Sequence, residues 1–189
     1  MKAVMQIDHF HDIVKATCKF IYIGVHRPML EYIRLDFDKD TLLVKAYASD
    51  GYRVSTETRP CYEIDESFMT YIKPFGLHDS SGIYKVDPRN PYMSVELVDK
   101  RCLLSIGERI IGTRQPEGDP VNFEGIIATL KESKVVKEVK ANPFFLVDAI
   151  KSVKVEYRQP VHMQFTDGHG PIIIKTKTGA RYILPCRND

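Results

Sequence analysis

Ser49-Asp50-Gly51-Tyr52-Arg53-Val54-Ser55 carries the densest mix of side-chain chemistry in the chain. Asp50-Gly51 between two apolar-alternating runs is a hairpin signal, because Gly51 supplies the positive φ a tight turn needs. Leaving that turn are an aromatic ring, a guanidinium and an aliphatic side chain in succession, a surface suited to an apolar peptide with a carboxylate or carbonyl nearby. Catalytic chemistry is not what the other reactive residues suggest. His9, His11, His26, His78, His162 and His169 show no His-x-x-x-His or Cys/His spacing, so no metal is expected. Cys18, Cys61, Cys102 and Cys186 form no Cys-x-x-Cys pair and read as reduced, partly buried thiols. There is no phosphate-binding glycine loop, nucleophile elbow or close carboxylate pair, and Asp167-Gly168-His169-Gly170 reads as a hairpin loop. The chain is expected to be no enzyme and to hold no cofactor.

Composition is that of an ordinary folded soluble protein. The 189 residues are 43% hydrophobic and 28% charged, with a net charge of +2. That balance gives no overall push toward nucleic acid or membrane. No apolar run approaches the roughly 20 residues that span a bilayer. Met1–Asp8 lacks the apolar core of a signal peptide, so a cytoplasmic protein is expected.

The elements that position these residues follow one order three times. Lys2–Ile7 reads as a strand and Asp8 as a helix cap. A helix follows, with Phe10, Ile13, Val14, Thr17, Cys18 and Ile21 as its apolar stripe. Strands are expected at Leu30–Asp38, Thr41–Ser49 and Tyr52–Arg59. The second round has a strand at Cys61–Ile64 and a short helix through Phe68, Met69 and Ile72, stopped by Pro74. A loop over 76–91 leads to strands Tyr92–Val98, Arg101–Ile106 and Arg109–Gln115. Residues 116–135 read as a connector. The third round has a strand at Val135–Ala141 and a helix opening at Asn142-Pro143. It closes with strands Val161–Thr166, Pro171–Thr176 and Arg181–Cys186. Three β-α-β-β-β units at a spacing of roughly 60 residues indicate internal duplication. One such unit has too little core to stand alone. Two can pair, which leaves the apolar stripe of the third to be covered by the others or by another subunit.

In this order and in several stretches the chain resembles the bacterial DNA sliding clamp, the beta subunit of DNA polymerase III. Arg27-Pro28-Met29-Leu30 with Ile33-Arg34-Leu35-Asp36-Phe37 is similar to the strand after the helix in the clamp's second domain. Ala48-Ser49-Asp50-Gly51-Tyr52-Arg53-Val54 resembles the family's Ala-Thr-Asp-Gly-His-Arg-Leu turn, its most specific short signature. Glu117-Gly118-Asp119-Pro120-Val121-Asn122-Phe123 is similar to the stretch closing that domain. Asn142–Ile150 resembles a helix of the third domain, and Tyr182-Ile183-Leu184-Pro185-Cys186-Arg187 the C-terminal ending. The family's first domain and the first half of its third find no counterpart.

The resemblance implies an α+β, DNA-clamp-like fold of three units, with helices on one face of antiparallel sheets. It divides the chain into a complete domain over 1-120, a connector over 121-135 and a half-domain over 136-189. It also implies a pocket for short clamp-binding peptides of DNA polymerase, clamp loader or repair proteins. Carried over position by position, one wall would be Leu30, Ser49, Gly51, Tyr52, Arg53 and Val54. Val121 and Ile126 would stand at the domain's end, with Leu184, Pro185, Cys186 and Arg187 opposite. Tyr52 replaces the usual histidine, Leu184 and Cys186 two methionines, and Gly125 a frequent arginine. Fewer methionines give a less adaptable lining. Lys15, Lys19, Lys73, Lys151 and Lys154 would be the residues meeting duplex DNA phosphates without reading sequence.

The expected role is in DNA replication or repair, as a processivity factor and homo-oligomer through the third unit. Four chains would supply a twelve-unit ring. The rival reading keeps the fold and discards processivity: a regulator or decoy that sequesters clamp-binding peptides or pairs with a host clamp.

Overall fold

The computed structural model describes residues 1–24, 26–74, 89–132, 141–153, 161–166, 170–176 and 178–185. β1 (Lys2–Gln6) passes without a linker into α1 (Ile7–Thr17). Asp8 is not the cap expected of it. The position before the helix is Gln6, whose side chain makes no capping bond, and Asp8 lies in the first turn, where the helix dipole favours a carboxylate. Phe10, Ile13, Val14 and Thr17 face inward as the spacing predicts. Short 3-10 turns at Cys18–Phe20 and Pro28–Glu31 then lead to β2 (Ile33–Asp38), β3 (Leu43–Ser49) and β4 (Arg53–Pro60).

The second round differs from its expectation. Phe68–Ile72 is a strand, β6, and within Cys61–Ile64 the strand is the two-residue β5 (Glu63–Ile64). Phe68, Met69 and Ile72 fit a helical spacing, but five residues are too few for periodicity to separate helix from strand. Pairing decides it. β6 lies antiparallel to β2, and the Phe68 ring stacks on Phe37 at 4.6 Å. Residues 75–88, which hold most of the expected loop, lie outside the described residues. β7 (Tyr92–Val98), β8 (Arg101–Ile106) and β9 (Arg109–Arg114) follow as a meander.

The expected connector contains a helix, α2 (Phe123–Lys131). The strand expected at Val135–Ala141 falls on residues that, apart from Ala141, are not described. α3 (Pro143–Lys151) opens as read, with the Asn142 side chain accepting a bond from the Phe144 amide. β10 (His162–Phe165), β11 (Ile172–Lys175) and β12 (Gly179–Ile183) close the described chain.

Two antiparallel sheets result, β5-β1-β7-β8-β9 and β10-β11-β12-β4-β3-β2-β6. In the first two rounds, leading strands are exchanged. β1 pairs with β7, and β6 pairs with β2. Third-round strands extend the larger sheet, because β12 pairs with β4. That junction needs a glycine at 179, where a Cβ would stand 2.0 Å from the Thr56 carbonyl oxygen.

Behind the junction lies a buried ionic knot. Arg181 is 1% exposed and donates from Nη2 to Glu57 Oε2 at 2.9 Å, from Nη1 to the Thr56 carbonyl at 2.6 Å, and from Nε to Ser152 Oγ at 3.0 Å. Burial pulls the Arg181 pKa down and the Glu57 carboxylate opposes it. One side chain therefore joins β4, β12 and the end of α3.

The main core joins α1 to both sheets and includes Ile172, Ile174 and Ile183 of the third round. Tyr47, Val54, Phe123, Ile173 and Tyr182 form a smaller cluster that packs α2 on the larger sheet. Burial pushes the Cys61 and Cys102 thiols up to about 12 and about 11, so neither is a thiolate at neutral pH.

Candidate functional site

The hairpin at Asp50-Gly51 is closed by its own side chains. Asp50 Oδ1 accepts from the amides of Tyr52 and Arg53, each at 2.9 Å, and Ser49 Oγ accepts from the Gly51 amide at 3.0 Å. Gly51 has φ of 91°, and a Cβ there would lie 1.9 Å from Nη1 of Arg27. The positive φ is what calls for glycine here, since the exposed Arg27 side chain could swing aside.

Beside the hairpin opens an apolar cavity of about 450 Å³. Four separated segments build it. The 3-10 turn contributes Pro28, Met29 and Leu30, with Arg27 before it, and the hairpin contributes Ser49, Gly51 and Val54. Val121, Ile126 and Leu130 come from α2 and its approach, and Leu184 from the end of β12. The Leu184 amide donates to the Tyr52 carbonyl at 3.0 Å, which extends the β4–β12 ladder to the cavity's edge.

Arg34 sets the position of the α2 wall. On β2 it is fixed by a bidentate pair with Asp36, at 2.8 and 2.7 Å. It also donates from Nη1 to the Val121 carbonyl at 2.8 Å and from Nη2 to Glu124 at 3.1 Å. Its guanidinium lies 5.5 Å from the centroid of Tyr47, and Tyr47 in turn stacks on Phe123. Burial, followed by the Glu124 and Asp36 charges, raises the Tyr47 phenol well above its ordinary range. Asn122 caps α2 by accepting from the Gly125 amide at 2.8 Å.

The cavity brings together Leu30, Ser49, Gly51, Val54, Val121, Ile126 and Leu184 of the expected lining. Tyr52 and Arg53 do not line it. Successive residues of a strand face opposite sides of its sheet. Val54 faces α2 and the cavity, whereas Arg53 faces α1 and α3. There the Arg53 guanidinium pairs with Asp50 at 2.8 Å and with Asp148 of α3 at 3.3 Å, and donates to the Lys19 carbonyl at 3.0 Å. It also sits 5.1 Å from the Phe20 ring centroid and 4.5 Å from that of Phe145. Tyr52 is 58% exposed, its ring 6.0 Å from Phe145. Pro185 is half-buried beyond Leu184 and outside the cavity wall, and Cys186 and Arg187 lie outside the described residues.

Sequence reasoning missed Arg27, Pro28, Met29 and Leu130. Arg27-Pro28-Met29 adjoins Leu30, but reading the stretch as strand hid the 3-10 turn that aims successive residues at one space. Leu130 is one helical turn from Ile126, a spacing visible only once α2 is recognised as a helix.

Of the lysines expected to meet DNA, Lys15, Lys19 and Lys151 are exposed. Lys73 follows a strand instead of lying on a helix, and pairs with Glu31 at 3.1 Å over the ring of Tyr32. Lys154 is not among the described residues.

Two antiparallel sheets built by strand exchange, with a further three strands continuing the larger one, make up the fold of the bacterial DNA sliding clamps. The DNA polymerase III beta subunit of Thermotoga maritima superposes with a TM-score of 0.80 at 14% identity, covering 100% of this chain and 66% of that one. The DNA polymerase sliding clamp of Bacillus subtilis gives 0.76 at 13% identity over 65% of its length, and that of Pseudomonas aeruginosa 0.79 at 10% over 67%. The chain thus spans about two thirds of the clamps it resembles. No protein-family model matches it, and no curated protein sequence does.

Proposed function

We propose that the protein is a non-enzymatic, clamp-like replication or repair protein that holds a short peptide of a polymerase or related partner in the cavity beside Gly51. The observation that carries this reading is the cavity's construction. An apolar recess is walled by four segments between Arg27 and Leu184, on a fold shared with DNA sliding clamps. The division into a two-unit domain over 1-120 and a half-domain over 136-189 belongs to the same reading, because the cavity lies where the two would meet. Burying each apolar anchor of a peptide contributes roughly 1.5–3 kcal/mol, part of which offsets the ordering of the peptide. Arg27, exposed at the rim, favours a carboxylate on the ligand.

The exposed helix lysines do not by themselves call for duplex DNA as a ligand. Lys15 and Lys151 lie in the last turns of their helices, where a helix dipole favours a cation in any soluble protein.

The test is a titration with a fluorescent clamp-binding peptide carrying two apolar anchors. Saturable micromolar binding is expected, weakened at least about tenfold by Leu30→Asp and by Leu184→Asp, a change of about 1.4 kcal/mol. Circular dichroism checks that each variant is folded. If the intact protein binds nothing at high micromolar concentration, the pocket reading fails.

A further inference from the structure

α2 is pinned at one end. Phe123, its single buried residue, stacks on Tyr47, and Asn122 caps the first turn. Arg34 reaches the same end twice, at the Val121 carbonyl and at Glu124. Beyond Glu124 the hold among the described residues is weaker. Ile127 and Leu130 are half-buried, Ile126 is 40% exposed, and Ala128, Thr129 and Lys131 are exposed. By contrast α1 buries Ile7, Phe10, Ile13, Val14, Ala16 and Thr17 along its whole length.

The sequence of α2 gives it little stability of its own. Its 9 residues are fewer than an isolated helix needs to persist in water. Gly125, Ile126, Ile127 and Thr129 are among the weaker helix formers, through backbone entropy or β-branching. What steadies the far half of such a helix is burial of its apolar side. Ile126 and Leu130, one turn apart, instead turn that side to the cavity as walls. Apolar anchors entering the cavity would bury it.

We infer that α2 is a hinged wall. Arg34 and Phe123 pin its first turn, its second half opens in the free chain, and an apolar ligand in the cavity closes it. The ligand half of this inference rests on the peptide reading, whereas the opening of α2 in the free chain does not. Such a wall makes affinity depend on the fraction of chains in which α2 is closed, so residues that never touch the ligand tune binding. Thr129 is one of them. It is exposed, lies outside the cavity lining, and donates its hydroxyl to the Gly125 carbonyl of its own helix at 3.0 Å.

Amide hydrogen exchange of the intact chain, read at α1 and α2 together, tests it. In the free protein the amides of residues 127–131 are expected to exchange at least about a hundredfold faster than the inner amides of α1. A saturating fluorescent peptide with two apolar anchors should slow them by about tenfold or more. Thr129→Ala should bind that peptide about two- to fivefold more tightly than Thr129→Gly, the difference in helix propensity expressed as affinity. Arg34→Lys, whose ammonium cannot serve Asp36, Val121 and Glu124 in one geometry, should speed the α2 amides about tenfold and leave those of α1 unchanged. Free-chain α2 amides as slow as those of α1, equal affinities for the two Thr129 variants, or an Arg34→Lys chain in which both helices loosen alike overturns the inference. A wild-type chain that binds no peptide defeats the pocket reading instead, and exchange in the free chain and in Arg34→Lys still decides whether α2 is hinged.

Discussion

Arg53 and Val54 are neighbours in β4 that perform unrelated tasks. Val54 is a wall of the cavity, and Arg53 is the fastener between the hairpin, the turn after α1 and α3. Arg53 is 7% exposed, and its guanidinium is shared among two carboxylates, a carbonyl and two aromatic faces. Removing it leaves Asp50 without its charge partner beside a hairpin whose two amides still need it. Arg53→Ala is therefore expected to lower stability by about 3–5 kcal/mol, as for other buried pairs that lose one member. The change is read in urea unfolding at neutral pH. A loss below about 1 kcal/mol would place this contact with ordinary surface pairs. Any fall in peptide affinity in this variant should track the loss of folded protein, since the side chain does not reach the cavity.

At the scale of elements, the β4–β12 junction governs the architecture. It is formed by five register pairs from Gly179↔Glu57 to Ile183↔Arg53 and is backed by Arg181, Glu57 and Ser152. Glu57 also pairs with Arg59 at 2.5 Å, and Arg59 reaches Asp12 of α1 at 3.3 Å. Glu57→Ala strands the fully buried Arg181 guanidinium and leaves Arg59 with Asp12 as its carboxylate partner. It should cost about 3–5 kcal/mol, whereas Arg181→Met with Glu57→Leu should recover most of that loss. Paired urea titrations decide it, and a double variant no better than the single one would refute the account.

Much at this scale was legible in the sequence. The meanders were marked by alternation and by turn residues, and α1 and α3 by apolar stripes long enough to show a period. Phe68–Ile72 was not legible, because its partner β2 lies some thirty residues upstream and five residues carry no decisive period. α2 was hidden among Pro, Gly and Asp residues that look like a connector, although Asn122 before an apolar run is a helix start. In the cavity, the residue types were readable wherever the clamp-like turn and ending carried them. The direction in which each side chain points was not, because it depends on strand register.

For the whole molecule, a single core cluster joins α1, both sheets and the isoleucines of β11 and β12. With the third round sharing that core and continuing the larger sheet, no described part carries a core wholly its own. Heating should give one cooperative transition, with calorimetric and van't Hoff enthalpies equal, and not separate melting of an N-terminal and a C-terminal piece. Two resolved transitions would contradict the shared core. The same junction bears on the birth of the protein. β4 ends at Pro60 and its partner β12 begins at Gly179, so more than a hundred residues must emerge from a ribosome before the two can meet. Throughout that interval β4 is a nascent edge with β3 on one side and nothing of its own on the other. A strand in that condition attracts any extended chain nearby, which makes translation the stage of greatest exposure to aggregation and a natural point for chaperone attention.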